Sequence, residues 1–214
     1  MIFPPFSRAL VLAAHTDDEF GCAGTIAHLV ARNVVVHYHA LSGCEESVPA
    51  GFPRNVLRLE SAECLGGLGV PAARRAVHGF HVRHFPRDRQ AILEMFVRLR
   101  ATIGPAVVFC PCSDDCHQDH QVVHQEAVRA FRGSTILGYE LPQNLRSFTN
   151  AAFVALGRND MRAKLRALRA YRSQAGKAYA TRRFLLSLAH TRGVQAGVRY
   201  AEAFEVIRLM VRGD

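Results

Sequence analysis

Short apolar runs alternate along this chain with stretches of helical periodicity. ALVLAA at 9–14, VVVHYHAL at 34–41 and AVVFCP at 106–111 read as strands buried on both faces of a parallel sheet. Pro105 and Pro111 bound the last of them. GTIAHLVARN at 24–33, a segment at about 55–68 closed by Gly69, and segments at 89–102 and about 119–132 carry helical spacing. A weaker strand is predicted near 76–85, and another in TILGYEL at 135–141. One long helix is predicted from 160 to about 180, then a basic helix and a terminal strand in AEAFEVIRL at 201–209. Alternation of this kind predicts an α/β fold: a doubly wound, mainly parallel sheet with helices on both faces, in one domain spanning 1–214. No repeat, linker or low-complexity stretch interrupts it.

Composition narrows the class. With 214 residues, 49% hydrophobic and 21% charged, the chain buries a full core and is not a disordered segment. No apolar run approaches the roughly 18 residues of a membrane span. ALVLAA is too short for a signal-peptide core and precedes polar HTDDE, so a protein of the cytoplasm with no transmembrane segment is expected. The net charge of +9 invites a polyanion, but all but two of the 27 basic residues are arginines scattered through predicted helices. No aromatic run interleaves with them to stack bases, so no nucleic-acid partner is expected. The six cysteines read as thiols; Cys110, Cys112 and Cys116 crowd one strand end without the second ligand pair of a structural zinc site.

The chemistry sits in two strings, AAHTDDE at 13–19 and DCHQDH at 115–120. Both follow strong predicted strands, and in an open parallel sheet ligands bind beyond the carboxyl ends of the strands. His15 with Asp18, and His117 with His120, have i, i+3 spacing, which brings both side chains to one side of a helical first turn. A catalytic zinc takes three N or O ligands and leaves a position for water. His15, Asp18 and His120 supply that set, with iron the alternative for the same donors. Asp17 then remains as a carboxylate to take a proton, and His117 as an imidazolium to stabilise or protonate what leaves. Asp119 is expected to fix the tautomer of His117. Either string alone is weak, since acidic residues gather at helix N-termini for electrostatic reasons; their conjunction carries the inference.

AHTDDEFGCAGTIA resembles the AHPDDE segment of the LmbE/PIG-L type zinc-dependent N-deacetylases, and HQDHQVVHQEA is similar to their HPDHxxVH segment. PAVVFCP, KLRALRAYRSQ at 164–174 and RGVQAGVRYAEAF at 192–204 extend the resemblance over nearly the whole chain. It implies a Rossmann-like fold, frequent oligomer formation, and hydrolysis of the N-acetyl group of N-acetylglucosamine or a related amino sugar in a small-molecule conjugate. By motif position it implies the same ligands, His15, Asp18 and His120, with Asp17 as general base and His117 facing the tetrahedral intermediate.

Departures from the family pattern bear on substrate. Thr16 and Gln118 stand where each motif has proline. The family's sugar-contacting arginine aligns with Leu57 if Glu60 is the helix glutamate, leaving Arg54 or Arg58 as the substitute. GFHVRHF stands where an acidic sugar contact is expected after the third strand. Glu45 and Glu46 read as a solvated loop pair; His28, His37 and His39 as structural; His124 as a residue of the pocket rim; Asp114 and Asp115 as groups orienting His117 or capping its helix. Two rivals remain: a non-catalytic nucleotide-binding module, which GCAG in place of GxGxxG disfavours, and a metallo-phosphoesterase, whose frequent second ion needs more ligands than these strings hold.

Overall fold

The computed structural model describes residues 6–211. Its strands are β1 (Arg8–Ala13), β2 (Val35–Ala40), β3 (Arg75–Val77), β4 (Val107–Pro111), β5 (Thr135–Tyr139), β6 (Ala152–Ala155) and β7 (Ala201–Arg208). Its helices are α1 (Ala23–Val30), α2 (Val56–Gly67), α3 (Phe85–Ile103), α4 (Gln118–Ala130), α5 (Arg158–Ala167) and α6 (Arg182–Gln195). The strands form one sheet in the order β3-β2-β1-β4-β5-β7-β6. β1 to β5 run parallel, whereas β7 is antiparallel to β5 and to β6.

Both faces of the sheet are covered, which is why its central strands are apolar throughout rather than alternating. Along β1, Leu10 and Leu12 face the layer built by α3 and α4, with Phe96, Val108 and Val123. Ala9, Val11 and Ala13 face the layer of α1, α2 and α5, with Ile26, Leu57, Tyr38 and Phe109.

Three expectations are corrected, and one strand is added. β3 is only Arg75–Val77, and the chain from 78 to 84 leaves the sheet. α3 begins at Phe85, not 89, with Pro86 in the first turn, where a missing N–H costs nothing. The long helix to 180 stops at Ala167 and continues as short 3-10 turns. Tyr171 leaves helical geometry (φ −78, ψ 68), its hydroxyl bonded to Glu19, and Glu60 accepts from Ser173 N at 2.9 Å and Ser173 Oγ at 2.5 Å. β6 has no counterpart in the sequence pattern, because four residues are too short for a periodic signal.

Candidate metal centre

Strand order reverses between β1 and β4, so the loops leaving their carboxyl ends part and open a crevice. The turn after β1 is built around Asp18, whose Oδ2 accepts the His15 N–H at 2.9 Å, and Asp17 stands just before the 3-10 turn Asp18–Gly21. Only glycine fits at Gly21: a Cβ would lie 2.9 Å from the Glu140 carbonyl oxygen and 2.9 Å from the Tyr139 ring. Beneath the turn, fully buried Glu19 accepts from the Tyr38 hydroxyl at 2.6 Å and from Tyr171, which also reaches the Thr16 carbonyl. Glu202 secures the start of α1, accepting from Gly24 N at 2.9 Å, Thr25 N at 2.6 Å and Lys164 Nζ at 2.7 Å.

The first turn of α4 brings His120 to this turn. His15 Nδ1 lies 3.0 Å from His120 Nε2, and Asp18 Oδ1 lies 3.8 Å and 3.4 Å from those two nitrogens. Ligands about 2.0–2.2 Å from a tetrahedral ion are spaced about 3.3–3.6 Å apart, and the three edges, 3.0, 3.4 and 3.8 Å, bracket that spacing. His15, His117 and His120 also converge, with ligand atoms within 4.8 Å of one another, a looser set. Outer contacts favour the first. His15 Nε2 meets Asp119 Oδ2 at 3.1 Å and His120 Nδ1 meets Asp115 Oδ2 at 2.7 Å, so each ring leaves its other nitrogen facing inward. All four of these side chains, and Asp18, are buried.

The Asp119 carboxylate therefore orients His15, not His117 as the sequence led us to expect. Its backbone N–H instead donates to His117 Nδ1 at 3.2 Å, as the cap of α4. With Nδ1 accepting, a neutral His117 carries its proton on Nε2. Burial, then the neighbouring imidazoles of His120 and His15, lower the His117 pKa. Burial, then the charge of Asp18, raises the pKa of Asp17. Burial opposes a charged His120, but Asp18 and Asp115 outweigh it and hold its pKa at about 9. Tyr179, from a 3-10 turn before α6, lies edge-on to Phe20 at 5.9 Å, and its hydroxyl donates to Gln174 Oε1 at 3.4 Å; burial, then the charge of nearby Asp17, raises its pKa. No local pattern marks this tyrosine, which arrives from far along the chain.

The other expected residues scatter. Arg58 is committed to structure, donating to Glu45 Oε1 at 2.6 Å and to the carbonyls of Val77 and His78, both at 3.1 Å. Arg54 is exposed. Glu45 and Glu46 are not merely solvated, since Glu46 pairs with His81 at 3.0 Å and Glu45 with Arg58. His28 pairs with Asp160, and His124 Nδ1 lies 3.0 Å from the Pro111 carbonyl oxygen. Asp115 does more than orient His117: it accepts the His117 N–H at 2.9 Å and anchors the His120 ring.

A family profile described as PIG-L, GlcNAc-PI de-N-acetylase, matches residues 10–131. The chain belongs to the PIG-L family. The matched span runs from β1 through α4 and so contains both halves of the candidate metal centre. No curated protein sequence matches the chain. Among solved structures it is similar to the N,N'-diacetylchitobiose deacetylase of Pyrococcus horikoshii, with 23% identity, TM-score 0.79 and coverage of 94% of this chain and 84% of that one. It is similar to the conserved protein TT1542 of Thermus thermophilus, with 26% identity, TM-score 0.76 and 96% of each chain covered. It also resembles the 4-carboxy-2-hydroxymuconate hydratase GalB of Pseudomonas putida, with 18% identity, TM-score 0.75, and 97% and 99% coverage. The fold thus carries more than one chemistry, and the choice rests on family and site.

Proposed function

We propose that the chain is a zinc-dependent N-deacetylase that hydrolyses the N-acetyl group of an N-acetylglucosamine-type sugar or its small-molecule conjugate. The observation that carries this is the 3.0–3.8 Å triangle of His15, Asp18 and His120 with Asp17 and His117 beside it, in a chain of the PIG-L family. The donor set suits zinc, with iron the alternative for the same ligands. A divalent ion held there supplies Lewis acidity toward an amide carbonyl and a water.

The chain's own groups supply the proton traffic. Asp17, its pKa raised by burial, takes a proton from the attacking water as the C–O bond forms, and passes it to the amine nitrogen as the C–N bond breaks. His117 donates its Nε2–H to the oxygen on which charge develops, the role of an oxyanion donor. Asp115 and Asp119 hold the two imidazole ligands in register. The six cysteines are all free thiols, which supports a reducing, cytoplasmic setting.

The test is release of acetate and primary amine from N-acetylated amino sugars and their glycosides by zinc-reloaded protein, with a chelator control. Equal yields of both products, abolished by chelation, are expected. Loaded protein that releases neither from any of these substrates contradicts the reading. Hydration, the chemistry of GalB, adds water without releasing acetate and is separated by the same assay.

A further inference from the structure

Arg83 lies in the loop between β3 and α3. Arg83 has φ +70, a left-handed conformation that a side chain rarely adopts. Its N–H donates to Asp119 Oδ2 at 2.6 Å, and its carbonyl accepts from Gln118 Nε2 at 2.6 Å, so both ends of the residue are pinned by the first turn of α4. A proline at 118 would have no side-chain amide to make this bond. The Asp119 oxygen that holds Arg83 also orients His15 at 3.1 Å, which fixes this loop relative to the metal centre.

The Arg83 side chain crosses to the loop after β2, where its guanidinium donates to Ser47 Oγ at 3.0 Å. The acids beside Ser47 are already engaged, Glu45 by Arg58 at 2.6 Å and Glu46 by His81 at 3.0 Å. Among the described residues no carboxylate pairs with Arg83, and both Arg83 and Ser47 are exposed. A guanidinium held by its backbone, with most donors unspent, is a ready partner for a carboxylate or phosphate.

We propose that Arg83 is a specificity-determining residue that takes an anionic oxygen group of the substrate, a phosphate or carboxylate carried near the scissile acetamide. This rests on the deacetylase reading and deepens it. The resemblance implies an acid in this loop to meet sugar hydroxyls; a cation there exchanges preference for a hydroxyl donor for preference for an anion.

The experiment compares zinc-loaded wild type, Arg83→Gln and Arg83→Lys on three probes: methyl N-acetylglucosaminide, N-acetylglucosamine 1-phosphate and N-acetylmuramic acid. Wild type is expected to favour at least one anionic sugar over the neutral one by tenfold or more in kcat/KM. Arg83→Gln should bring that ratio near one, and Arg83→Lys should keep part of it. The phosphate and carboxylate arms identify which anion is read. Equal use of all three sugars by wild type, or a preference that survives Arg83→Gln, overturns the proposal. Binding of glucosamine 1-phosphate by calorimetry supplies a second readout that needs no turnover. If no sugar yields acetate, the deacetylase reading has failed separately. Binding at least tenfold weaker in Arg83→Gln then supports the Arg83 assignment, and unchanged binding overturns it.

Discussion

The division of labour among the acidic residues at the centre turns on which oxygen meets which nitrogen. Asp17 borders the ligand triangle without forming part of it, so Asp17→Asn should lower kcat by about 100-fold or more while the metal stays bound. Turnover and metal content measured on the same preparation check both halves. Asp115 acts through His120, at 2.7 Å, so Asp115→Asn should weaken metal affinity by about 10- to 100-fold, read by competition with a chromogenic chelator. The seven side chains His15, Asp17, Asp18, Asp115, His117, Asp119 and His120 are legible as two contiguous strings, because groups supplied by one turn and one helix start leave a local spacing. The partner of Asp119 is not legible: whether its carboxylate meets His15 or His117 depends on how the loops after β1 and β4 face each other. Tyr179 and Arg83 leave no signal at all, since one arrives from the turns before α6 and the other from a backbone conformation no composition encodes.

At the scale of elements, the turn after β1 is held by buried polar contacts rather than by the sheet. Lys164 of α5 and Glu202 of β7 are both buried, 2.7 Å apart, and Glu202 also accepts the first N–H groups of α1. Lys164→Met removes one partner and leaves a charge uncompensated in the interior, at a cost of about 3–5 kcal/mol. Urea denaturation should register that loss as a lower midpoint. The same contacts explain why the helix expected from 160 to 180 breaks: Glu19 and Glu60 hold Tyr171 and Ser173 off the helical path. Periodicity sees the apolar spacing and not the distant carboxylates that override it. The buried strands are legible because wholly apolar runs have few alternatives, whereas β3 and β6, partly exposed and short, carry no such pattern.

For the whole molecule, the parallel, doubly wound class follows from the alternation of elements, while the antiparallel edge of β7 and β6 depends on pairing that no local run specifies. One pH response belongs to the whole fold. His39 on β2 lies 3.0 Å from His78, and burial, then the neighbouring His78 and His37 rings, lowers its pKa from 6.5 to about 4. Between those values the unfolded chain binds the proton that the folded chain refuses, so stability is full above about pH 6.5 and declines as pH falls toward 4. Melting temperatures across this window should drop in wild type and drop less in His39→Phe. The deacetylase chemistry needs one ion at the switch point of the sheet. Anomalous diffraction at the zinc edge from zinc-loaded crystals tests it most directly. A single peak about 2.0–2.2 Å from His15 Nδ1, Asp18 Oδ1 and His120 Nε2 is predicted. A peak held by His117 in place of Asp18, or none in this crevice, would contradict the account.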